Sequence, residues 1–424
     1  MTNWSRRCVG CWGNEPGVPP THSLPHRGGG MRFAFEPGTL RQAPHATPWG
    51  GAGGGGHPMT SKADIRAEGD RLLAGFIAAG AVPVEADILQ PADQLLDLYG
   101  EDIRARAYVT TDPLRGEMML RPDFTLPVVR AHMAGGADPA RYCYLGEVFR
   151  KQERPTARPS EYLQVGFELF DRERPEEADA EVFALFAQAL SDLDTRPATG
   201  DIGILLAAVR GLDTTPRRRA ALLRHVWRPA RFRALLDRFS GRTAVPQARR
   251  ALLDRLAMGD PQALIANAGA FVGLRSPEEI TARAAALTLD AAAPPIKATE
   301  AALLYDLLGL VAPARAALAH LRGITPMMPA ISPAVDRFEA RLNALDRRGI
   351  DTTTLAFEAS HGRTSLEYYD GFVFSFHAGT ALPPIASGGR YDALTAVLGA
   401  GRSIPAVGGV IRPGLVARLK GAAP

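Results

Sequence analysis

Apolar positions along the chain change period several times, and each change predicts an element. Ile65, Leu72, Phe76 and Ala79 recur at helical spacing, so a helix is predicted over 61–79, with Thr60 and Ser61 at its N-cap. An extended run over 82–89 follows, then short strands at 108–111 and 118–120 around a turn at 112–116. Residues 141–150 read as a strand, with Tyr142, Tyr144 and Val148 favouring it. The clearest alternation lies at 162–170. Leu163, Val165, Phe167 and Leu169 share one face; Tyr162, Gln164, Gly166 and Glu168 share the other. Gln164 and Glu168 therefore project from one side of one strand, two pleats apart. They are the floor of a ligand site or the solvated face of an edge strand. A helix is predicted over 177–193 and a strand over 201–209.

From 211 to 348 Ala, Leu and Arg dominate at helical spacing. Helices are predicted at 217–228, 229–239, 247–258, 261–268, 277–287, 298–308, 313–321 and 333–348. Proline opens several of them, where a missing N–H costs nothing. The arginines here read as solvated helix faces. Strands are then predicted at 352–359, 366–369 and 372–377, the last with Phe372, Phe374 and Phe376 alternating. Residues 388–392 read as a Gly-rich turn into a helix at 393–398, followed by a strand at 404–411 and a helix at 415–420.

Composition adds a boundary. Residues 1–58 hold glycine runs at 28–30 and 53–56 and no apolar period, and read as a disordered leader, with Met59 an alternative start. Cys8, Cys11, His22 and His26 have zinc-like spacing, but the Pro/Gly-rich segment between them lacks the apolar residues a zinc finger packs, so no metal is expected. Of 49 basic and 45 acidic residues, the leader holds five and two, which leaves the body near neutral. A neutral body speaks against a large nucleic-acid footprint. Three cysteines exclude a disulfide framework, and no apolar run is long enough to span a membrane. A cytoplasmic protein is the expectation.

Several ordered blocks carry a resemblance. They are 120–127 (LRPDFTLP), Phe149-Arg150, Glu153-Arg154-Pro155, Gln164-Val165-Gly166-Phe167-Glu168, 366–371 (LEYYDG) and Gly388-Gly389-Arg390-Tyr391-Asp392. Together they resemble the class II aminoacyl-tRNA synthetase catalytic core in its histidyl-tRNA synthetase version, over most of 60–210 and 352–410. The resemblance implies an α+β fold, an antiparallel sheet flanked by helices. The core would be split into 59–210 and 349–424 by an inserted helical region, 211–348. It also implies a pocket in which Asp123, Gln164 and Glu168 face an amino group or imidazole while Tyr368 and Tyr369 shape the side-chain space. Carboxylates accept from ammonium, and Gln and Tyr satisfy imidazole nitrogens. Tyr368 and Tyr369 also fit as packing residues. Arg150 either keeps an anion site or pairs with Glu147 or Glu153. His361 and His377 read as surface or satisfied histidines, and Cys143 as core.

The departures point to a subset. After Pro405-Ala406-Val407-Gly408, Gly414-Leu415 falls where the synthetases carry a Glu-Arg pair, leaving Arg412 or Arg418 as displaced candidates. Thr364 stands in the place of the arginine beside the reacting carboxylate, and Arg363 is one residue off, facing the other side of an extended strand. Only 412–424 follow the last strand, so no anticodon-binding domain is expected. A kept pocket with a broken ATP apparatus resembles the regulatory subunits of ATP phosphoribosyltransferase, paralogues of histidyl-tRNA synthetase. That resemblance implies no catalytic residues and no cofactor in this chain. It implies a short-form catalytic subunit as partner in a hetero-octamer of four plus four, a homodimer through the core, and L-histidine as effector. No pyrophosphate-cradling loop is evident, with 192–200 only a weak candidate. Two rivals remain: a truncated amino-acid-activating enzyme, and an RNA-binding module.

Overall fold

The computed structural model describes residues 60–92, 105–152, 159–269, 274–363, 368–379 and 382–421. The leader, the Glu153-Arg154-Pro155 block, Thr364, Leu366 and Glu367 lie outside them.

Helix α1 (Lys62–Ala78) starts where Ser61 and Asp64 cap each other reciprocally, Ser61 Oγ accepting from the Asp64 N–H and the Asp64 carboxylate from the Ser61 N–H. Next come β1 (Val82–Pro83), β2 (Leu89–Pro91), β3 (Val109–Asp112), β4 (Gly116–Leu120) and α2 (Thr125–Met133). The long hairpin β5 (Ala140–Phe149) and β6 (Glu161–Phe170) follows, then α3 (Pro175–Ala189) and β7 (Arg196–Asp201).

The predicted strand at 201–209 is instead helix α4 (Ile202–Arg210), with β7 ending where it begins. Ile202, Ile204, Leu205, Leu206, Ala208 and Val209 are all buried. An apolar run covered on nearly every side carries no readable period.

Helices α5 (Pro216–Arg224), α6 (Pro229–Phe239), α7 (Gln247–Met258), α8 (Pro261–Ala266), α9 (Pro277–Ala292) and α10 (Ala298–Gly309) fill the next stretch. Strand β8 (Val311–Pro313), α11 (Ala314–Ile324) and α12 (Ser332–Arg347) follow. Not all arginines here are solvated. Arg218 is buried against Asp290, and Arg341 is buried against Asp179 and Asp201. A charge on a helical stripe looks the same in sequence whether water or a carboxylate faces it. Strand β8 belongs to the main sheet, pairing with β9 (Ala356–Glu358), which is shorter than the predicted 352–359.

Strands β10 (Phe372–His377) and β11 (Ala386–Arg390), helix α13 (Asp392–Leu398), β12 (Ala406–Ile411) and α14 (Pro413–Gly421) complete the described chain. The predicted turn at 388–392 is in fact the end of β11. Glycine is needed there for closeness: a Cβ at 388 would meet the Phe374 ring and the Gly408 carbonyl. Tyr368 and Tyr369 lie in no strand, contrary to the pairing predicted for 366–369.

Among the described residues the main sheet has the order β1-β5-β6-β12-β11-β10-β7-β9-β8. It is antiparallel except where β1 joins β5 and β7 joins β9. Phe76 of α1 and Phe186 of α3 pack on Phe167 and Phe374 of one sheet face. Strand β6 is interior, with β5 on one side and β12 on the other, so Gln164 and Glu168 are not on an edge. No described helix is long and apolar enough to cross a membrane.

Candidate ligand pocket

On the face of the sheet opposite α1 and α3, glycines let side chains lie close against the strands. In the β5–β6 ladder Tyr144 pairs with Gly166 and Gly146 with Gln164. The Tyr144 ring lies over Gly166, where a Cβ would come within 2.1 Å of Cζ. Phe124 stacks on Tyr144 at 4.3 Å, and the Arg121 guanidinium covers Phe124 at 4.0 Å. Arg121 Nε donates to the Glu147 carbonyl at 2.8 Å. The 120–127 block is thereby pinned onto the sheet, and α2 starts with Thr125 over Glu168.

Glu168 is fully buried and held by three hydroxyls. Thr125 Oγ1 and Tyr144 Oη donate to Oε1, each at 2.9 Å, and Tyr391 Oη donates to Oε2 at 2.5 Å. Burial pushes its carboxyl up to about 7, although the Tyr391, Tyr144 and Thr125 hydroxyls oppose the rise. Asp123, also buried, lies close enough to raise Glu168 further and to raise the Tyr144, Tyr368 and Tyr369 phenols, after burial itself. Tyr368 and Tyr369 meet edge to face at 5.0 Å, and Tyr368 meets Tyr391 at 6.2 Å.

Asp123, Glu168, Tyr368 and Tyr369 thus converge, with Gln164 on the same strand face as Glu168. Gln164 is 1% exposed, and its Oε1 has no hydrogen-bond partner among the described residues. A buried amide oxygen left so is costly unless something else donates to it. The Gln164 Oε1, the tyrosine hydroxyls and the two carboxylates have the chemistry to match N–H donors.

Three residues that grip Glu168 are not evident from the sequence. Thr125 sits within a recognised block and Tyr144 within the predicted strand at 141–150, but the role of Tyr144 depends on the β5–β6 register. Tyr391 reaches Glu168 only because β11, β12 and β6 lie side by side.

The arginines have other tasks. Arg150 Nε donates to the Pro122 carbonyl at 2.9 Å, and its charge opposes the upward shift at Tyr369. Arg363 is buried, with Nε on the Val226 carbonyl at 2.6 Å and its guanidinium 5.1 Å from the Phe232 ring centre. It is thus tied to the neighbourhood of α6. Arg412 donates to the Pro384 carbonyl, and Arg418 lies in the last turn of α14. Thr199 and Gly200 belong to β7, where Thr199 Oγ1 donates to the Ala356 carbonyl, so 192–200 is no phosphate loop. Ser375 Oγ contacts Nε2 of both His361 (2.9 Å) and His377 (2.8 Å), so these histidines are satisfied. Cys143 is buried in β5, and burial lifts its thiol to about 11.

The comparisons with known proteins agree with this architecture. The histidyl-tRNA synthetase family profile matches residues 58–308 and 278–413. The ATP phosphoribosyltransferase regulatory subunit of Allorhizobium ampelinum is 33% identical over 364 residues, covering 80% of this chain and 93% of that protein. That of Rhizobium etli is 32% identical, covering 83% and 96%. A solved structure from Bacillus halodurans, described as an ATP phosphoribosyltransferase regulatory subunit/histidyl-tRNA synthetase, superposes with a TM-score of 0.59 at 19% identity over 87% of this chain and 83% of that one. Its likeness concerns the fold, the α+β core of a class II synthetase. The chain belongs to the histidyl-tRNA synthetase family and, within it, to the regulatory subunits of ATP phosphoribosyltransferase.

Proposed function

We propose that the pocket binds L-histidine and that this chain, itself without catalytic residues, confers activity and histidine feedback inhibition on a separate ATP phosphoribosyltransferase catalytic subunit. The carrying observation is that Gln164 Oε1, without a hydrogen-bond partner among the described residues, and the hydroxyl-bound Glu168 carboxylate lie on one face of β6, with Asp123, Tyr368 and Tyr369 near Glu168. Histidine offers an ammonium for the carboxylates and imidazole nitrogens for Gln and Tyr. A non-catalytic role is supported by where the arginines are engaged. Arg363 is committed to a backbone carbonyl near α6, and Arg412 to Pro384. Adenylation places negative charge on a transferring phosphoryl group and relies on preorganised cations facing it.

In this reading the partner is the short-form catalytic chain, the assembly is a cytoplasmic hetero-octamer of four plus four, and the cores pair as homodimers. Regulation is then a coupling free energy: histidine favours one quaternary state and shifts the assembly toward it. The division into a core at 59–210 and 349–424 with an insert at 211–348 is part of the same proposal.

The test measures phosphoribosyl-ATP formation by the catalytic subunit of the same organism, alone, with this chain, and with added histidine. Activity that needs both chains and falls with histidine is the expected result. Absence of stimulation, together with amino-acid-dependent exchange of pyrophosphate into ATP by this chain alone, would replace the reading with that of an activating enzyme.

A further inference from the structure

Successive residues of an extended chain point to opposite sides of a sheet, and at the end of β11 this places Arg390 and Tyr391 on opposite faces. Tyr391 enters the pocket and donates to Glu168. Arg390 turns to the helix-covered face, where Nε and Nη2 donate to Asp179 Oδ1 of α3 at 3.1 and 2.7 Å. The other oxygen of that carboxylate, Oδ2, accepts from Nη1 of Arg341 on α12 at 3.0 Å. The second arm of Arg341 reaches Asp201 Oδ2 at 2.5 Å, where β7 passes into α4, and its guanidinium rests 4.6 Å from the Phe372 ring centre. Asp179 and Arg341 are 1% and 3% exposed. One buried carboxylate is thus shared by two guanidiniums, one from the sheet and one from the last helix before residue 348.

The backbone of the pocket hangs on this junction. The Arg390 carbonyl accepts from the Asp370 N–H at 3.0 Å, next to Tyr369. The Asp370 carboxylate accepts from the N–H groups of Asp392 (3.1 Å) and Ala393 (2.7 Å). Tyr391 N–H donates to the Ala406 carbonyl at 2.9 Å, and Arg390 Nη1 holds Asp392 at 3.0 Å.

We propose that Arg341 is a positioning residue for the ligand pocket: through the shared Asp179 carboxylate it fixes Arg390, hence Tyr391 and the grip on Glu168, so that the seating of α12 and the affinity for the effector are coupled. The proposal rests on the pocket reading above. Linkage makes the coupling reciprocal, so ligand binding also stiffens the attachment of α12. A lysine at 341 keeps the charge and most of the stem, but a single ammonium cannot reproduce the fork that spans two carboxylates.

The experiment uses the full chain with Arg341→Lys, Tyr391→Phe and the double variant, titrated with L-histidine by calorimetry. Arg341→Lys is expected to weaken binding about tenfold alone and less than about twofold in the Tyr391→Phe background. Effects that multiply across the two backgrounds would overturn the proposal. If the unmutated chain does not bind histidine, the pocket reading fails separately, and the strut is judged by amide hydrogen exchange. Arg341→Lys should then speed exchange at 391–393 and 406 about tenfold while α1 keeps its protection. Unchanged exchange at those amides, or equal acceleration in α1, would overturn it. Should Arg341→Lys fail to fold, Asp201→Asn loosens the far end of the same guanidinium and is read by the same two measurements.

Discussion

Gly408 faces Glu168 across the β12–β6 ladder, and the carboxylate fills the space that a side chain at 408 would need. A Cβ there would lie 1.6 Å from Glu168 Oε2. The glycine therefore defines where the buried acid rests and which hydroxyls can reach it.

Gly408→Ala is accordingly expected to push Glu168 off its three donors. Overpacking of this kind costs about 1–3 kcal/mol, and histidine binding should be lost. Urea unfolding and calorimetric titration of the variant measure both. Wild-type affinity in Gly408→Ala would mean that the Glu168 carboxylate is not part of the floor.

Stability should depend on pH through Glu168. Its carboxyl is raised from 4.5 to about 7, first by burial. Between these values the native state keeps a proton that the unfolded chain releases, so the contribution is full below about 4.5 and declines until about pH 7. The span corresponds to about 3 kcal/mol. Asp370, raised to about 7 by burial and then by Asp392, acts in the same direction. Glu168→Gln should lose less stability than the unmutated chain between pH 5 and 7.5 in urea unfolding. Equal losses would show that Glu168 titrates outside that window.

Gln164→Met tests the Gln164 amide, whose Oε1 has no partner among the described residues. The swap keeps the volume and removes the polar atoms, so stability should stay within about 1 kcal/mol of wild type or rise. Histidine affinity should nevertheless fall about tenfold, the worth of one hydrogen bond to a buried group. A variant that binds histidine as tightly as wild type places the ligand elsewhere.

Two buried arginines should respond in opposite ways to truncation. Arg341 joins two carboxylates, so Arg341→Met strands Asp201, leaves Asp179 to Arg390 alone, and should cost about 3–5 kcal/mol. Arg363 has no carboxylate partner among the described residues, and burial, then Arg233, lowers its guanidinium to about 10. Arg363→Met should be neutral or stabilising. A large loss in its thermal midpoint would reveal an anion partner for Arg363.

The local signals in the chain carried the fold a long way. The strict alternation at 162–170 marked β6 and put Gln164 and Glu168 on one face, because a pleated strand has a period of two whatever surrounds it. The proline-led helix at 229–239, and the start of the one predicted at 277–287 that runs on to 292, were legible for the same local reason, a proline at the first position and an apolar stripe after it. The order of the blocks identified the family, and the same resemblance is what points to Asp123, Tyr368 and Tyr369 as proposed pocket residues. Packing decided the rest. Ile202–Arg210 could not be read as helix because it is covered on nearly all sides, and the glycines at 388–389 lie in a strand that rings and carbonyls crowd. That Glu168 would be held by Thr125, Tyr144 and Tyr391, and Asp179 shared by Arg341 and Arg390, depends on side chains brought together from distant segments. Residue types and spacings state what a side chain can donate or accept, whereas the tertiary structure alone chooses which partner it meets and whether water is there to compete.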